Sequence, residues 1–372
     1  HIFGKTDAET AYGLAWAHSE DDFKTIQLAY MAGNGLLSKH KGIKAAPIDF
    51  LSQVIESQKT SDSLYHTLHP DFRKVLEGYT EGINRYAKLH PKEILEEDLF
   101  PITPQKIGAY TFFQLFISNQ ADDLMVAIVN DKIPVYKPTI NEDVKGSNTL
   151  AFNSSKTGEE ATYLAINTHQ PLEGPTSWYE AHLVSEEGTN ILGATFAGAP
   201  CILTGVNENL GWSHTVNYPD KADVYSLEMH PQKKHVYLVD GKEYKLKNKK
   251  AHFHMKVLGI PVKLSKSYYT SIYGPTLKNK TGYFSVRTPT LFNIKAMEQW
   301  WRMNKAKSFT EFYNILKMNA LPGYNIGYAD KNDTIFYISN GRIPKRNEQY
   351  DWTQVVPGNT LETLWTEYYK TE

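Results

Sequence analysis

Along the first third of the chain, apolar residues recur every three to four positions, a helical period. Beyond it they fall into short alternating runs bounded by turn residues, a strand period. The opening stretch "TDAETAYGLAWAHSEDDFKTIQLAYMAGNGLLSKH" puts Ile26, Leu28, Met31 and Leu36 at roughly helical spacing. Thr6, with Glu9 three residues on, reads as a capping box at its start. "HPDFRKVLEGYTEGINRYAKLHP" predicts a second helix stopped by Pro91. "TPQKIGAYTFFQLFISNQADDLMVAIVND" predicts a third long helical stretch, capped by Thr103 with Pro104 at its first position.

At Lys145 the texture changes. "NTLAFNSS", "ATYLAINTH", "YEAHLVSE", "ILGATFAG", "DVYSLEM" and "KHVYLVDGKEYKL" read as strands, with Asp-Gly and Asn-Glu-Asn-Leu turns between them. "HFHMKVLG" to "SIYGPTL" continues as hairpins. A helical interlude spans roughly 294 to 319, and "YNIGYAD" and "TIFYISNG" follow as strands. The organisational boundary falls at Gly146-Ser147, giving a helical region 1–146 and a β-rich region 147–372. The fold class is α+β.

Composition narrows the function classes. The chain has 372 residues, 41% hydrophobic and 22% charged, enough for a substantial core. The formal net charge of −1, without a basic stripe, argues against nucleic acid and anionic membranes as partners. No apolar run approaches the ~20 residues that cross a bilayer. Cys201 is the one cysteine, so no internal disulfide forms. The sequence opens at His1 rather than Met, which predicts a trimmed start, so a missing signal peptide is uninformative.

Conventional site motifs are absent: no G-x-G-x-x-G after a strand, no Walker loop, no C-x-x-C, no H-E-x-x-H and no G-x-S-x-G. His252 and His254 could ligate a metal from one strand face, but no third ligand stands nearby, so they read as structural. The remaining candidate is the Gly146-Ser147 bond. A cut there would give Ser147 both a hydroxyl and a free α-amine. The amine pKa of about 7.7–8.0 suits a general base near neutral pH. One residue would then supply nucleophile and base. Alone, Gly-Ser is as readily a plain turn.

From Gly146 onward the chain resembles the penicillin acylase family of N-terminal-nucleophile hydrolases. The resembling segments include "GSNTLAFNSSKTGEEATYLAINTHQPLEGPTSWYEAHL", "GATFAGAPCILTGVNENLGWSHTVNYPDKADVYSLE" and "LPGYNIGYADKNDTIFYISNGRIPKR". "HIFGKTDAETAYGLAWAHSEDDFKTIQLAYMAGNGLLSKHKG" resembles the opening of the family's smaller subunit. The resemblance implies a four-layer αββα sandwich wrapped by the helical region, and self-cleavage at Gly146-Ser147 of a zymogen. It implies hydrolysis of an N-acyl amide through an acyl-enzyme, without an organic cofactor. Ser147 matches the nucleophile, and His169 the residue supporting its hydroxyl and amine. Val216, through its backbone N–H, and Asn325, through its side-chain amide, match the two halves of the oxyanion hole. Two neutral donors suit a tetrahedral oxyanion, each worth about 2.7–4 kcal/mol. Arg346 matches an arginine that holds this asparagine and the amine.

The resemblance also implies one structural calcium ion, held by Asp220, the Ala222 carbonyl and Asp223, with Asp122 or Asp123 from the helical region. Two carboxylates and a carbonyl are hard oxygen donors suited to that ion. The chain departs from the family's pattern in several places. Asp21-Asp22 stands where an Asp-Arg pair is common, Gln170 where an aromatic lines the acyl pocket, and Tyr273-Gly-Pro where His-Gly-Pro is frequent. The region from Ser147 onward is shorter than the family's larger subunit, so a further C-terminal part of that subunit is expected, and the resemblance implies an α/β heterodimer formed from one precursor by the cut. Candidate substrates are β-lactam side-chain amides, acyl-homoserine lactones (quorum quenching) and N-acyl amino acids or peptides. Family habit implies a periplasmic or extracellular location. The other reading is an uncleaved, catalytically silent homologue acting as a binding or structural module.

Overall fold

The structure, a computed structural model, describes residues 1–133, 146–217, 219–257 and 260–371. Residues 134–145, which lead up to the expected cleavage site, lie outside that set.

The helical region begins as the sequence predicts. Helix Asp7–Gly33 is closed by the full capping box, with the Thr6 side chain accepting from the Glu9 N–H and Glu9 reaching back to the Thr6 N–H. It carries a non-helical break at Asp22, whose carboxylate caps the second half by accepting from the Thr25 N–H at 3.1 Å. Helix Pro70–Leu89 packs along it and stops just before Pro91. The third stretch is not continuous. It forms Pro104–Ser118 and Ala121–Val129, broken at Gln120 in the left-handed region (φ 58°). The preceding Asn119, at the end of the first segment, donates its side-chain amide to the Thr290 hydroxyl. Two further helices, Ala46–Val54 and Ser57–Leu64, lack a long apolar period and are not predicted from the sequence.

The dominant sheet has seven strands in the order β1 (Ile2–Gly4), β4 (Tyr179–Ser185), β5 (Asn190–Thr195), β6 (Thr204–Asn207), β7 (Leu210–Thr215), β16 (Tyr324–Asp330) and β17 (Ile335–Asn340). All neighbours are antiparallel except β1, which joins β4 in parallel. β2 (Ser147–Phe152) and β3 (Tyr163–Thr168) form a separate antiparallel pair. A six-stranded sheet runs β12 (Lys247–Val257), β13 (Ile260–Thr270), β14 (Pro275–Lys278), β15 (Tyr283–Arg287), β8 (Asp223–Ser226) and β18 (Val356–Pro357). β9 (Glu228–Met229), β10 (Val236–Val239) and β11 (Lys242–Lys245) make a small third sheet.

Alternation along β7 and β16 separates two faces. Trp212 and Tyr328, paired across the ladder and fully buried, face the helices. There the Phe312 ring of helix Phe309–Leu316 packs on both, at 5.8 and 4.9 Å between centroids. The opposite face carries the pairs Gly211–Ala329, Ser213–Gly327 and Thr215–Asn325. β2 and β3 lie on that side. The fold is thus α+β, with helices, a large sheet and a two-stranded layer giving three of the four layers of the expected sandwich among the described residues.

The helical and β-rich regions are interlocked rather than separate units. β1 extends the large sheet, and one continuous apolar core joins both regions. Asp7 is buried at their junction, where it accepts from the hydroxyls of Ser185 and Thr189, the Trp301 N–H and the Lys305 ammonium. Burial opposes its charge, while Lys305 and the two hydroxyls win and hold the carboxyl below its ordinary range. The Tyr30 hydroxyl donates to the Gly198 carbonyl at 2.7 Å.

His18 adds a pH-sensitive contact, stacked on Tyr179 with ring centroids 3.9 Å apart. Burial pushes its pKa down to about 4 from 6.5, against a smaller upward pull from Asp22 and Asp21. Between those values the unfolded chain takes up a proton that the folded chain refuses, so stability present above pH 6.5 is lost as pH falls toward 4. In urea unfolding across that range, the His18→Phe variant, which keeps an aromatic ring at this position, is expected to lose less stability. The two slopes should differ by about one proton.

Candidate active site

Two close approaches seat the β2–β3 pair on the large sheet. A Cβ added to Gly327 would lie 2.5, 2.7 and 3.2 Å from Oγ1, Cγ2 and Cβ of Thr149. A Cβ on Gly211 would lie 3.0 Å from Cδ2 of Leu164. Thr149 is in β2, and Leu164 is the partner of Ala151 across the pair. Gly211, in turn, is the ladder partner of Ala329. Thr149 therefore sits over position 327 and Ala151 near position 329, so β2 runs in the same sense as β16.

Ser147, Thr149 and Ala151 share the half-buried face of β2 that looks onto the sheet. Two residues back along both strands, Ser147 meets the Asn325 end of the seat. Thr215 is the partner of Asn325 there, and Val216 follows directly beyond the last pair of the ladder. The register thus directs Ser147 toward the end of the sheet that carries Asn325 and Val216.

Each of the three has a defined environment. The Ser147 hydroxyl donates to the Gly146 carbonyl at 2.7 Å, the carbonyl of the bond a self-cleavage reaction would attack. The Asn325 amide nitrogen donates to the Thr215 hydroxyl and the Val216 carbonyl, both at 3.2 Å. Its oxygen accepts from the Tyr337 hydroxyl at 2.9 Å. A carbonyl can only accept, so the Val216 contact fixes which end of the amide faces it. Tyr337 holds the other end, diagonally across the β16–β17 ladder.

His169 lies one residue past β3, beside the amides of its neighbours. Its Nε2 is 2.8 Å from the Asn167 carboxamide oxygen, which also accepts from the Asn148 amide at 3.0 Å. The Asn148 amide nitrogen also lies 3.2 Å from Nε2, so this nitrogen faces both an amide oxygen and an amide N–H. Nδ1 is 3.9 Å from where a Gly146 Cβ would be, so it faces the peptide that precedes the serine.

Among the described residues no hydrogen bond joins Arg346 to Asn325. Its guanidinium is committed to the loop after β7: Nε donates to Asp223 Oδ2 at 3.1 Å, and Nη2 lies 3.0 Å from Asp223 Oδ1. Nη2 also donates to the Asp220 carbonyl at 3.1 Å, and Nη1 is 3.5 Å from the Asp220 carboxylate. The Trp365 indole N–H donates to Asp223 Oδ2 at 2.6 Å. Burial pushes the Asp223 carboxyl up to about 7, with the arginine and the indole N–H pulling it back.

This arrangement does not fit the expected calcium. The Asp220–Asp223 pair already has an obligate cation, since arginine does not deprotonate. Asp122 and Asp123, at the start of helix Ala121–Val129, do not join it. Among the described residues, no group of three or more His, Cys, Asp or Glu side chains is gathered to hold a metal. Burial, with Asp123 adding to it, pushes Asp122 up to about 6, as for a carboxyl without a neighbouring cation. The sequence could not reveal that Arg346 and the two aspartates meet, because the contact joins segments over a hundred residues apart.

Sequence reasoning missed Tyr337 and Lys221. The turn "DKND" fixes the β16–β17 register and so could have placed Tyr337 close to Asn325. Lys221 gives no comparable signal. Its ammonium donates to the Asn217 and Gly323 carbonyls, and burial pushes it down to about 8.

The penicillin amidase family model matches residues 1–372, and the chain belongs to that family. Its relatives include the acyl-homoserine lactone acylase PvdQ of Pseudomonas fluorescens (strain Pf0-1), 23% identical over 381 residues, covering 92% of this chain and 49% of that protein. The acyl-homoserine lactone acylase QuiP of Pseudomonas fluorescens (strain Pf-5) is 20% identical over 408 residues, covering 92% and 50%. A thermostable penicillin G acylase from Alcaligenes faecalis is similar in structure, with a TM-score of 0.46 and 21% identity over 52% of this chain and 35% of that one. The chain spans about half the length of the curated relatives it matches. No helix among the described residues is long and apolar enough to cross a membrane.

If Arg346 supplies the cation at Asp220 and Asp223, melting temperature should be the same in EDTA and in millimolar CaCl₂. Arg346→Met should lower it and make it rise with added calcium, as for any ligand that binds only the folded chain.

Proposed function

We propose that the protein hydrolyses N-acyl amide bonds with Ser147 as an N-terminal nucleophile, generated by its own cleavage of the Gly146-Ser147 bond. The observation that carries this reading is the β2 register, which brings the serine end of that strand over Asn325 and Val216. In self-cleavage the Ser147 hydroxyl attacks the Gly146 carbonyl carbon, collapse to the ester breaks the C–N bond and frees the α-amine, and water then hydrolyses the ester to the Gly146 carboxylate and the serine hydroxyl. In turnover that amine takes the hydroxyl proton as Ser147 attacks the substrate carbonyl. The oxyanion lies between the Val216 N–H and the Asn325 amide, two neutral donors, with one Asn325 N–H leaving the Thr215 hydroxyl or the Val216 carbonyl to meet it. Collapse expels the amine product, and water then releases the acid from the acyl-enzyme. His169, whose Nδ1 faces the Gly146 peptide, holds the freed α-amine beside the hydroxyl.

Two findings favour acyl-homoserine lactones within the N-acyl amide class. The relatives are named as acylases of those compounds. Position 170 is a glutamine instead of an aromatic wall. We further propose that the cut leaves the helical region and the larger subunit as a heterodimer, that a C-terminal part matching the rest of those relatives belongs to the larger subunit and completes the cleft, and that the enzyme works in the periplasm or outside the cell.

Intact mass and activity on acyl-homoserine lactones of graded chain length test the reading. The full-length wild type should split before Ser147 and hydrolyse the amide. Ser147→Ala should remain one polypeptide and lose activity by at least about a thousandfold. A Ser147→Ala protein that still splits there, or still hydrolyses the amide, overturns it.

A further inference from the structure

The loop between β7 and β8 holds a half-buried cation that the reaction as described does not use. Lys221 has no carboxylate partner among the described residues, because Asp220 and Asp223 on either side of it both turn to Arg346. Its ammonium instead bridges two backbone carbonyls, Asn217 at 3.0 Å and Gly323 at 3.3 Å.

Those carbonyls belong to segments that carry the two oxyanion donors. Asn217 is the residue after Val216, and Gly323 is two residues before Asn325. The β7–β16 ladder has its last pair at Thr215–Asn325, so past that point no named strand pair holds the two chains together. The lysine bridge takes the place of the missing rung. Gly323, at φ 152°, makes the space for it: a Cβ there would lie 3.0 Å from Lys221 Cε and 3.2 Å from the Asn217 side-chain oxygen. Asn217 is anchored a second time, its amide donating to the hydroxyl of Ser339, the β17 partner of Asn325.

We propose that Lys221 is a positioning residue for acyl transfer. By clamping the Asn217 and Gly323 carbonyls it fixes the separation of the Val216 N–H from the Asn325 amide. The proposal rests on the oxyanion-hole reading above. Its physical basis is that donors act in the transition state only at the correct spacing, and a shift of about 1 Å can cost on the order of a hundredfold in rate. The bridge is made by charge-assisted hydrogen bonds, which hold geometry better than neutral ones.

The test compares Lys221→Met, which keeps much of the alkyl chain, with Lys221→Arg, which keeps a cation and its donors. Both are made in the full-length protein and assayed on a fatty-acyl para-nitroanilide, with melting temperature in parallel. Lys221→Met should lower kcat by roughly tenfold to a hundredfold with KM changed by less than about threefold, the pattern of a transition-state defect. Lys221→Arg should recover most of the loss. The proposal is overturned if Lys221→Met keeps wild-type kcat, if its loss appears in KM, or if Lys221→Arg is as impaired as Lys221→Met. If Lys221→Met does not fold, Lys221→Gln takes its place under the same criteria. Ser147→Ala in the same assay separates the two levels. An active Ser147→Ala protein refutes the acylase reading itself, whereas a silent one beside an unaffected Lys221→Met refutes only the role of the lysine.

Discussion

The contact on which the site depends is the seating of a two-stranded β layer against a seven-stranded sheet through two glycines. Stacked sheets ordinarily stand about 10 Å apart, with side chains filling the gap. Here Gly211, Ser213, Gly327 and Ala329 leave one face of β7 and β16 nearly bare, and Thr149 and Leu164 come down onto it. Because side chains alternate at every residue, a slip by one position would turn Ser147 away from the sheet. The glycine contacts therefore fix the depth of the layer and its register together. The same strands carry Trp212 and Tyr328 on their other face, where bulk locks them to the helical layer.

The helical region supports this seat from the far side. Its first residues extend the sheet as β1, and its first helix inserts Asp7 into a buried cluster of donors from β4, the β4–β5 turn and helix Ala296–Asn304. A carboxylate so enclosed, with Lys305 beside it, makes separation of the two regions costly, because each donor would lose its partner. A cut between Gly146 and Ser147 would leave these contacts untouched. Cleavage can then free the serine amine without loosening the fold, provided the core and the sheet remain shared.

What was readable in the sequence was what local chemistry encodes. Thr6 and Glu9, Thr103 and Pro104, and Pro91 announce helix ends through caps and breakers, and the helices begin or stop where these residues predict. The strand content of 147–372 follows from alternation. The gathering of Ser147, Val216 and Asn325 came from a resemblance over the whole chain, because register between distant strands leaves no periodic trace. Two readings depended on tertiary information. The Asp220–Asp223 spacing looks like a cation site, yet the partner that arrives there is Arg346. The stretch 103–131 looks like one helix, yet Asn119 finds a hydroxyl partner on a distant loop and the helix breaks at Gln120.

The central claim is that the bare face at Gly327 sets how Ser147 meets Asn325 and Val216, the oxyanion donors proposed above. The direct measurement is the rate of self-cleavage, followed by intact mass, in Gly327→Ala, with circular dichroism confirming the fold. The added methyl must displace Thr149, a β-branched side chain with little freedom to yield. The account predicts cleavage slowed on the order of tenfold or more, with recovery when Thr149→Ala is added to remove the clash. Cleavage at the wild-type rate in a folded Gly327→Ala protein would contradict it.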